Sequence, residues 1–249
     1  NSGWPPWNNN WPLAQPSLQG RHANPPARPL GELNAMAKKA PRRTAERILQ
    51  TTLELFNRYG EPNVSTTLIS SELGISPGNL YYHYPAKDEL VNALFTHYKA
   101  AMLEWLITAP QVKSLQDSWF FLQQLNERVW QHRFIYRDLN DLIGRNRRIE
   151  TEMKEVLQHK ATSLEVVLSH LCHTQCLDMT EAQRRRSAHQ LVLQCTWWLS
   201  YAYVLNPRQA LEDSNGPSEL ARAMQSQLGL LRPYVRAAHT ADMDRWLNN

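Results

Sequence analysis

The sequence predicts an all-α fold in which a three-helix unit precedes a larger helical bundle. Three observations predict it. From Arg43 onward apolar residues recur three and four positions apart, the period of a helix with one buried face. Glycine, proline and N-capping residues punctuate that pattern at helix-length intervals. No stretch shows the alternation of a strand, and no internal repeat is visible.

Taken in order, Ile48, Leu49, Thr52, Leu55, Phe56 and Tyr59 form the inner face of a first helix, which Gly60 ends before the turn Glu61-Pro62-Asn63. Ser65 caps a second helix with Leu68, Ile69 and Leu73 turned inward, and Gly74 stops it. Ser76 caps a third, with Pro77 at the first helical position, where a missing N–H costs nothing. Pro85 forces Tyr84 out of helical geometry. Asp88 and Glu89 then open a long fourth helix to about residue 106, their charges at its positive end. Further helices are expected at about 115–132, 134–144, 148–174, 180–205 and 218–238.

This order divides the chain into 1–40, a disordered Pro/Asn/Trp-rich extension with a basic arm; 41–88, the three-helix unit; and 89–249, the bundle. Residues 1–35 precede Met36 and carry Trp4, Trp7 and Trp11 among prolines, so they read as an extension upstream of the functional protein. Lys38, Lys39, Arg42, Arg43 and Arg47 crowd one stretch, which suits phosphate contact or a solvated tail. With 42% hydrophobic residues there is enough for a real core, and no run approaches the length of a membrane span; the most apolar, 191–205, is broken by Gln194, Thr196 and Ser200. The three cysteines are no disulfide framework, and with no secretory signal the expected compartment is the cytoplasm.

A short helix, a tight glycine turn and a second short helix make the shape of a DNA-reading module. Leu68, Ile69, Leu73, Ile75 and Leu80 supply its small core. That leaves Pro77, Gly78, Asn79, Tyr81, Tyr82 and His83 on the outer face, small or hydrogen-bonding groups able to approach base edges and phosphates. The alternative for the aromatic run is core packing, which suits Tyr84 best.

Phe56-x-x-x-Gly60, Ile69, Leu73-Gly74-Ile75-Ser76-Pro77-Gly78-Asn79-Leu80-Tyr81-Tyr82-His83-Tyr84 and Lys87-Asp88-Glu89-Leu90 resemble the signature of the TetR family of one-component transcriptional regulators. The resemblance implies a ligand-responsive regulator, a repressor, that binds a pseudo-palindromic double-stranded operator as a homodimer. It places Thr66 and Thr67 on phosphate or a base; Ser76, Pro77, Gly78 and Asn79 at the mouth of the major groove; and Tyr81, Tyr82, His83 and Lys87 on the DNA backbone. Two departures stand out: Ser70 replaces an alanine, and Ala86 replaces the Ser or Asn cap ahead of Lys87. The segment Arg133-Phe134-Ile135-Tyr136-Arg137-Asp138-Leu139 with Gly144-Arg145 is similar to the subgroup regulating polyhydroxyalkanoate storage genes, which implies an apolar, acyl-type effector.

In the bundle, Trp119, Trp130, Tyr136, Trp197 and Tyr201 are the candidate lining of an effector pocket, weighed against ordinary core packing. Leu191, Cys195 and Trp198, with Leu220, Met224, Leu228 and Leu231, form two stripes expected to build a four-helix dimer interface. Cys172 and Cys176, near His170 and His173, lack the spacing of a zinc knuckle and read as helix-end residues. No catalytic constellation, phosphate loop or cofactor motif is visible, so the expectation is a non-enzyme without cofactor or metal. The competing readings are an all-helical enzyme, and a regulator or adaptor without a small-molecule ligand that is controlled by expression level or a protein partner.

Overall fold

The computed structural model describes the backbone of residues 31–248 and the side chains from Arg43 to Asn248. The tryptophans of the N-terminal extension and the side chains of Lys38, Lys39 and Arg42 lie outside the described residues. Helix α1 (Gly31–Tyr59) begins inside the span expected to be irregular, and buries Ile48, Leu49, Thr52, Leu55 and Phe56; Tyr59, expected on the same face, is exposed at the helix end, as is Leu68, expected inside the second helix. After Gly60 and a 3₁₀ turn at Glu61–Asn63 come α2 (Thr66–Leu73), α3 (Pro77–His83) and α4 (Lys87–Leu106). The caps are the expected ones. Ser65 Oγ accepts from Leu68 N–H at 3.1 Å, Ser76 Oγ accepts from Asn79 N–H at 3.2 Å, and Gly74 closes α2 at φ 64°. Ala86 caps α4 without a side-chain bond, whereas the buried Ser70 donates to Thr67 O at 3.0 Å and so is satisfied where it sits.

The body comprises α5 (Leu115–Gln131), α6 (Arg133–Arg137), α7 (Leu139–Arg145), α8 (Arg147–His173), α9 (Glu181–Leu205), α10 (Gly216–Leu231) and α11 (Thr240–Leu247). Helix α8 packs on α9 and α4, and α10 on α5 and α9. Capping boxes at Ser114/Asp117 and Thr180/Gln183 start α5 and α9. A reciprocal amide pair, Asn126 to Gln227 at 2.8 Å and back at 3.0 Å, registers α10 against α5 inside the core. Residues 42–249 form one compact unit, and α4 runs through the expected boundary at residue 88, so the three-helix head and the body share a rod.

Two expected helices need correction. The one expected over 134–144 is two short helices, α6 and α7, meeting at Asp138 with φ −110° and ψ 21°. The one expected over 218–238 stops at Leu231, because Pro233 contributes no N–H and the chain tightens into a 3₁₀ turn at Arg232–Tyr234. Helix α11 was not foreseen; it buries Met243 and sets Trp246 6.4 Å from the Trp119 ring. No helix of the described residues is long and apolar enough to cross a membrane.

The seven residues expected at the dimer interface turn inward. Leu191, Cys195, Leu220, Met224, Leu228 and Leu231 are buried within the protomer, and Trp198 stacks on Trp130 at 6.2 Å. Their stripes are apolar because α9 and α10 pack within this chain, and periodicity cannot distinguish that from packing on a second copy. The large apolar side chains that α9 shows the solvent are Leu193, Trp197, Tyr201, Val204 and Leu205.

Candidate nucleic-acid interface

Leu80 is sealed beneath α3, so the helix can roll neither way. Pro77, Gly78, Asn79, Tyr81 and Tyr82 are thereby held outward, Tyr82 exposed at 78%. Ser76 uses its oxygen as a cap but keeps its O–H to donate, while His83 is half-buried with its ring 5.2 Å from that of Tyr82. Thr67 is exposed at the start of α2. Its neighbour Thr66 hydrogen-bonds the Tyr81 hydroxyl at 2.9 Å, tying the N-terminus of α2 to the middle of α3. These two residues, with Pro62 to Ser65 and Pro85 to Lys87, line an open hollow of about 560 Å³. Of the residues the sequence pointed to, Thr66, Tyr81 and Lys87 share the wall of this hollow, while Thr67, Ser76, Pro77, Gly78, Asn79 and Tyr82 are exposed outside it. Arg43 and Arg47 are exposed one helical turn apart on α1.

Lys87 behaves differently from the expectation. Its ammonium donates to Glu61 O at 2.6 Å and lies 2.9 Å from the Glu61 carboxylate, over the Phe56 ring. Arg145, from α7, pairs with the other oxygen of the same carboxylate and also with Asp141 at 2.9 Å and Asp88 at 3.6 Å. The Glu61 side chain is only 1% exposed, so two cations compensate a charge that water does not reach. Part of the positive charge at the start of α4 is thus already matched inside the protein.

The five aromatic residues proposed for a pocket do not share a wall. Trp119 faces Trp246, Trp130 lies between Trp198 and the Arg133 guanidinium, and Trp197 and Tyr201 point outward from α9, on the face opposite Cys195 and Leu199. Tyr136 alone is at the centre of the body, in a cluster that sequence reasoning missed. Its hydroxyl hydrogen-bonds that of Tyr98, from α4, and accepts from the Lys160 ammonium, from α8, at 2.9 Å. Lys160 is fully buried, and burial pulls its ammonium down to about 8. Burial also lifts both tyrosine hydroxyls and pushes the neighbouring Cys195 thiol up to about 12, so it stays a thiol rather than a nucleophile. His132, its ring 5.5 Å from Tyr98, is driven down to about 4 by burial and is neutral. A signal for Lys160 was present: Met153, Val156, Leu164 and Val167 are the buried stripe of α8, and the lysine falls in line with them.

Comparison with known proteins agrees with this architecture. Residues 48–94 match the family model described as bacterial regulatory proteins, tetR family. Residues 97–243 match a second model, TetR, described as bacterial transcriptional repressor. A crystallised TetR-family transcriptional regulator from Marinobacter aquaeolei superposes with TM-score 0.70 at 25% identity, over 82% of this chain and 98% of that one. A gamma-butyrolactone receptor, ArpA-like, shares the fold with TM-score 0.56 at 16% identity, over 84% of this chain and 98% of that one. The nucleoid occlusion factor SlmA of Shewanella baltica is 28% identical over 141 residues, 51% of this chain and 71% of that protein.

Proposed function

The chain belongs to the TetR family of bacterial transcriptional regulators, and from that premise we propose that it is a homodimeric repressor whose grip on a pseudo-palindromic operator is switched by a largely apolar small molecule. The observation that carries the reading is the outer face of α3. Gly78, Asn79, Tyr81 and Tyr82 stand clear of the core, and the Thr66–Tyr81 hydrogen bond orders the hydroxyls before DNA arrives. Preordered donors lose less rotamer freedom on binding. Asn79 and Tyr81 are then the base and phosphate contacts, with Thr66, Thr67, Ser76, Pro77, Tyr82 and His83 around them. Lys87 acts first as the counter-ion of Glu61.

The dimer rests on the outward stripe of α9. Leu193, Trp197, Tyr201, Val204 and Leu205 are a set of large apolar side chains at helical spacing, and a second copy of the chain would cover them about a two-fold axis. That axis would set two α3 helices in successive major grooves. Helix α4 and the Glu61–Arg145 pair both join the head to the body, so an effector that tilts α4 changes the separation of the two reading helices. It must favour one separation over the other to shift anything.

Selection of bound duplexes from a random library tests the core of this. Enrichment of a two-fold site, lost with Asn79→Ala and Tyr81→Ala while thermal unfolding is unchanged, is the expected outcome; no enrichment would overturn the DNA-reading assignment. A monomeric mass at micromolar concentration would overturn the dimer. The similarity to a nucleoid occlusion factor supports a second reading, in which the body answers to a protein partner or to the amount of chain present. A broad small-molecule panel without effect on DNA affinity would favour it.

A further inference from the structure

We propose that the effector is an amphiphile bearing one carboxylate, and that Lys160, Tyr98 and Tyr136 at the centre of the body receive that carboxylate. The inference rests on the ligand-switch reading above and deepens it. Its basis is a surplus of donors. Lys160 brings three N–H groups and the two tyrosines one O–H each. The hydrogen bonds among them use the two phenolic oxygens, Lys160 donating to Tyr136 and the tyrosines bonding each other. However the protons are arranged, one phenolic proton and two ammonium protons find no acceptor among the hydrogen bonds of the described residues. A carboxylate supplies two oxygens with about four acceptor sites, which matches that surplus.

The charge points the same way. Buried charges in proteins are normally paired. Glu61 follows the rule with two cations, but Lys160 has no ion pair among the described residues, and the Cys195 thiol beside it is neutral. One cation calls for a monoanion; a doubly charged phosphate would leave a net charge buried. The rings against Tyr98, Phe95 at 5.7 Å and the neutral His132 at 5.5 Å, are suited to a hydrocarbon or aromatic body behind the carboxylate, not to a charged one.

The placement also connects the site to the head. Tyr98 lies on α4, about 16 Å along the rod from Lys87 at 1.5 Å per residue. Tyr136 and Lys160 come from α6 and α8, and Ser200 of α9 donates to the Tyr136 carbonyl at 3.0 Å. A carboxylate drawing Tyr98 and Lys160 onto itself therefore moves α4 against the rest of the body.

The test is calorimetric and fluorescence titration of the full chain with straight-chain carboxylates from butyrate to dodecanoate and with phenylacetate, each against the alcohol and the amine of the same skeleton. The expected result is a carboxylate that binds at least about tenfold more tightly than its alcohol, with the amine not binding. Lys160→Met should abolish that preference, and Tyr98→Phe, which keeps the ring and the fold, should weaken the carboxylate several-fold without affecting the alcohol. Alcohol binding as tight as carboxylate, or a preference that survives in both variants, overturns the carboxylate site and leaves the ligand switch standing. If no compound of any class binds, the ligand switch falls with it.

Discussion

Head and body treat their tyrosines and cations in opposite ways. In the head, Tyr81 and Tyr82 face solvent on a helix fixed by local devices: two serine caps, a glycine turn and a proline stop. In the body, Tyr98 and Tyr136 are sealed among four helices from distant parts of the chain, beside a lysine that has no ion pair among the described residues. The buried carboxylate of the head, Glu61, has two cationic partners, whereas the buried Lys160 of the body has no ion pair among the described residues. The difference teaches where each region can respond. A surface with its polar groups already arranged recognises a partner without rearranging, whereas a core with unmatched donors has something to gain from a ligand.

The contrast can be broken most forcefully at Glu61. Converting both Lys87 and Arg145 to Met strands a carboxylate that is 1% exposed, and urea unfolding should show a loss of about 3–5 kcal/mol. A loss under about 1 kcal/mol would mean that the carboxylate simply turns out to water.

Lys160→Met should do the reverse and stabilise the protein, by about 2–3 kcal/mol at pH 7, the lost bond to Tyr136 included. The sign follows from the ammonium being pulled from 10.5 down to about 8 on folding. Between those values the unfolded chain holds the proton and the folded one does not, so the parent gains stability relative to the variant as pH rises. The difference between the two proteins should therefore close above about pH 10.5, as unfolding midpoints measured across that range would show.

A smaller effect is expected on the head. Tyr81→Phe removes the hydroxyl that bonds Thr66, and should cost about 1 kcal/mol of operator affinity in a shift assay while leaving the melting temperature nearly unchanged. The smallest concerns Lys87→Gln. If its charge stays matched by Glu61 when DNA is bound, the salt dependence of binding will be the parent's; a slope lower by about one unit would show that the lysine leaves Glu61 for a phosphate.

What the sequence made legible follows the same division. Caps, turn residues and the outer face of α3 are written within about twenty consecutive residues, so Ser65, Gly74, Ser76 and Pro85 could be assigned without knowing what lay across from them. The stripes of α9 and α10 were legible as apolar but not by destination, since packing on α5 and α8 and packing on a second copy demand the same spacing. The break at Asp138 was hidden because nothing there is a strong breaker. The Tyr98–Tyr136–Lys160 cluster joins residues 62 positions apart, a proximity that only the tertiary packing creates. Even so, one lysine in the apolar stripe of α8 marked the place.

Gly60 carries a consequence for genetics. Its φ of 83° is costly for any L side chain, and a Cβ built there would lie 2.9 Å from the Arg137 guanidinium carbon. Arg137 is not free to retreat: it stacks over the Tyr203 ring at 4.7 Å and donates to the Tyr203 hydroxyl at 3.1 Å. A Gly60→Ala lesion in the head should therefore acquire second-site suppressors far away in sequence, at Arg137 on α6 and Tyr203 on α9, where shortening a side chain makes room. Suppressors confined to the neighbours of residue 60 would mean that the backbone angle, not the crowding, is the whole defect. A selection for restored DNA binding would map that line of contact from the first turn of the head to the outer helix of the body, residue by residue.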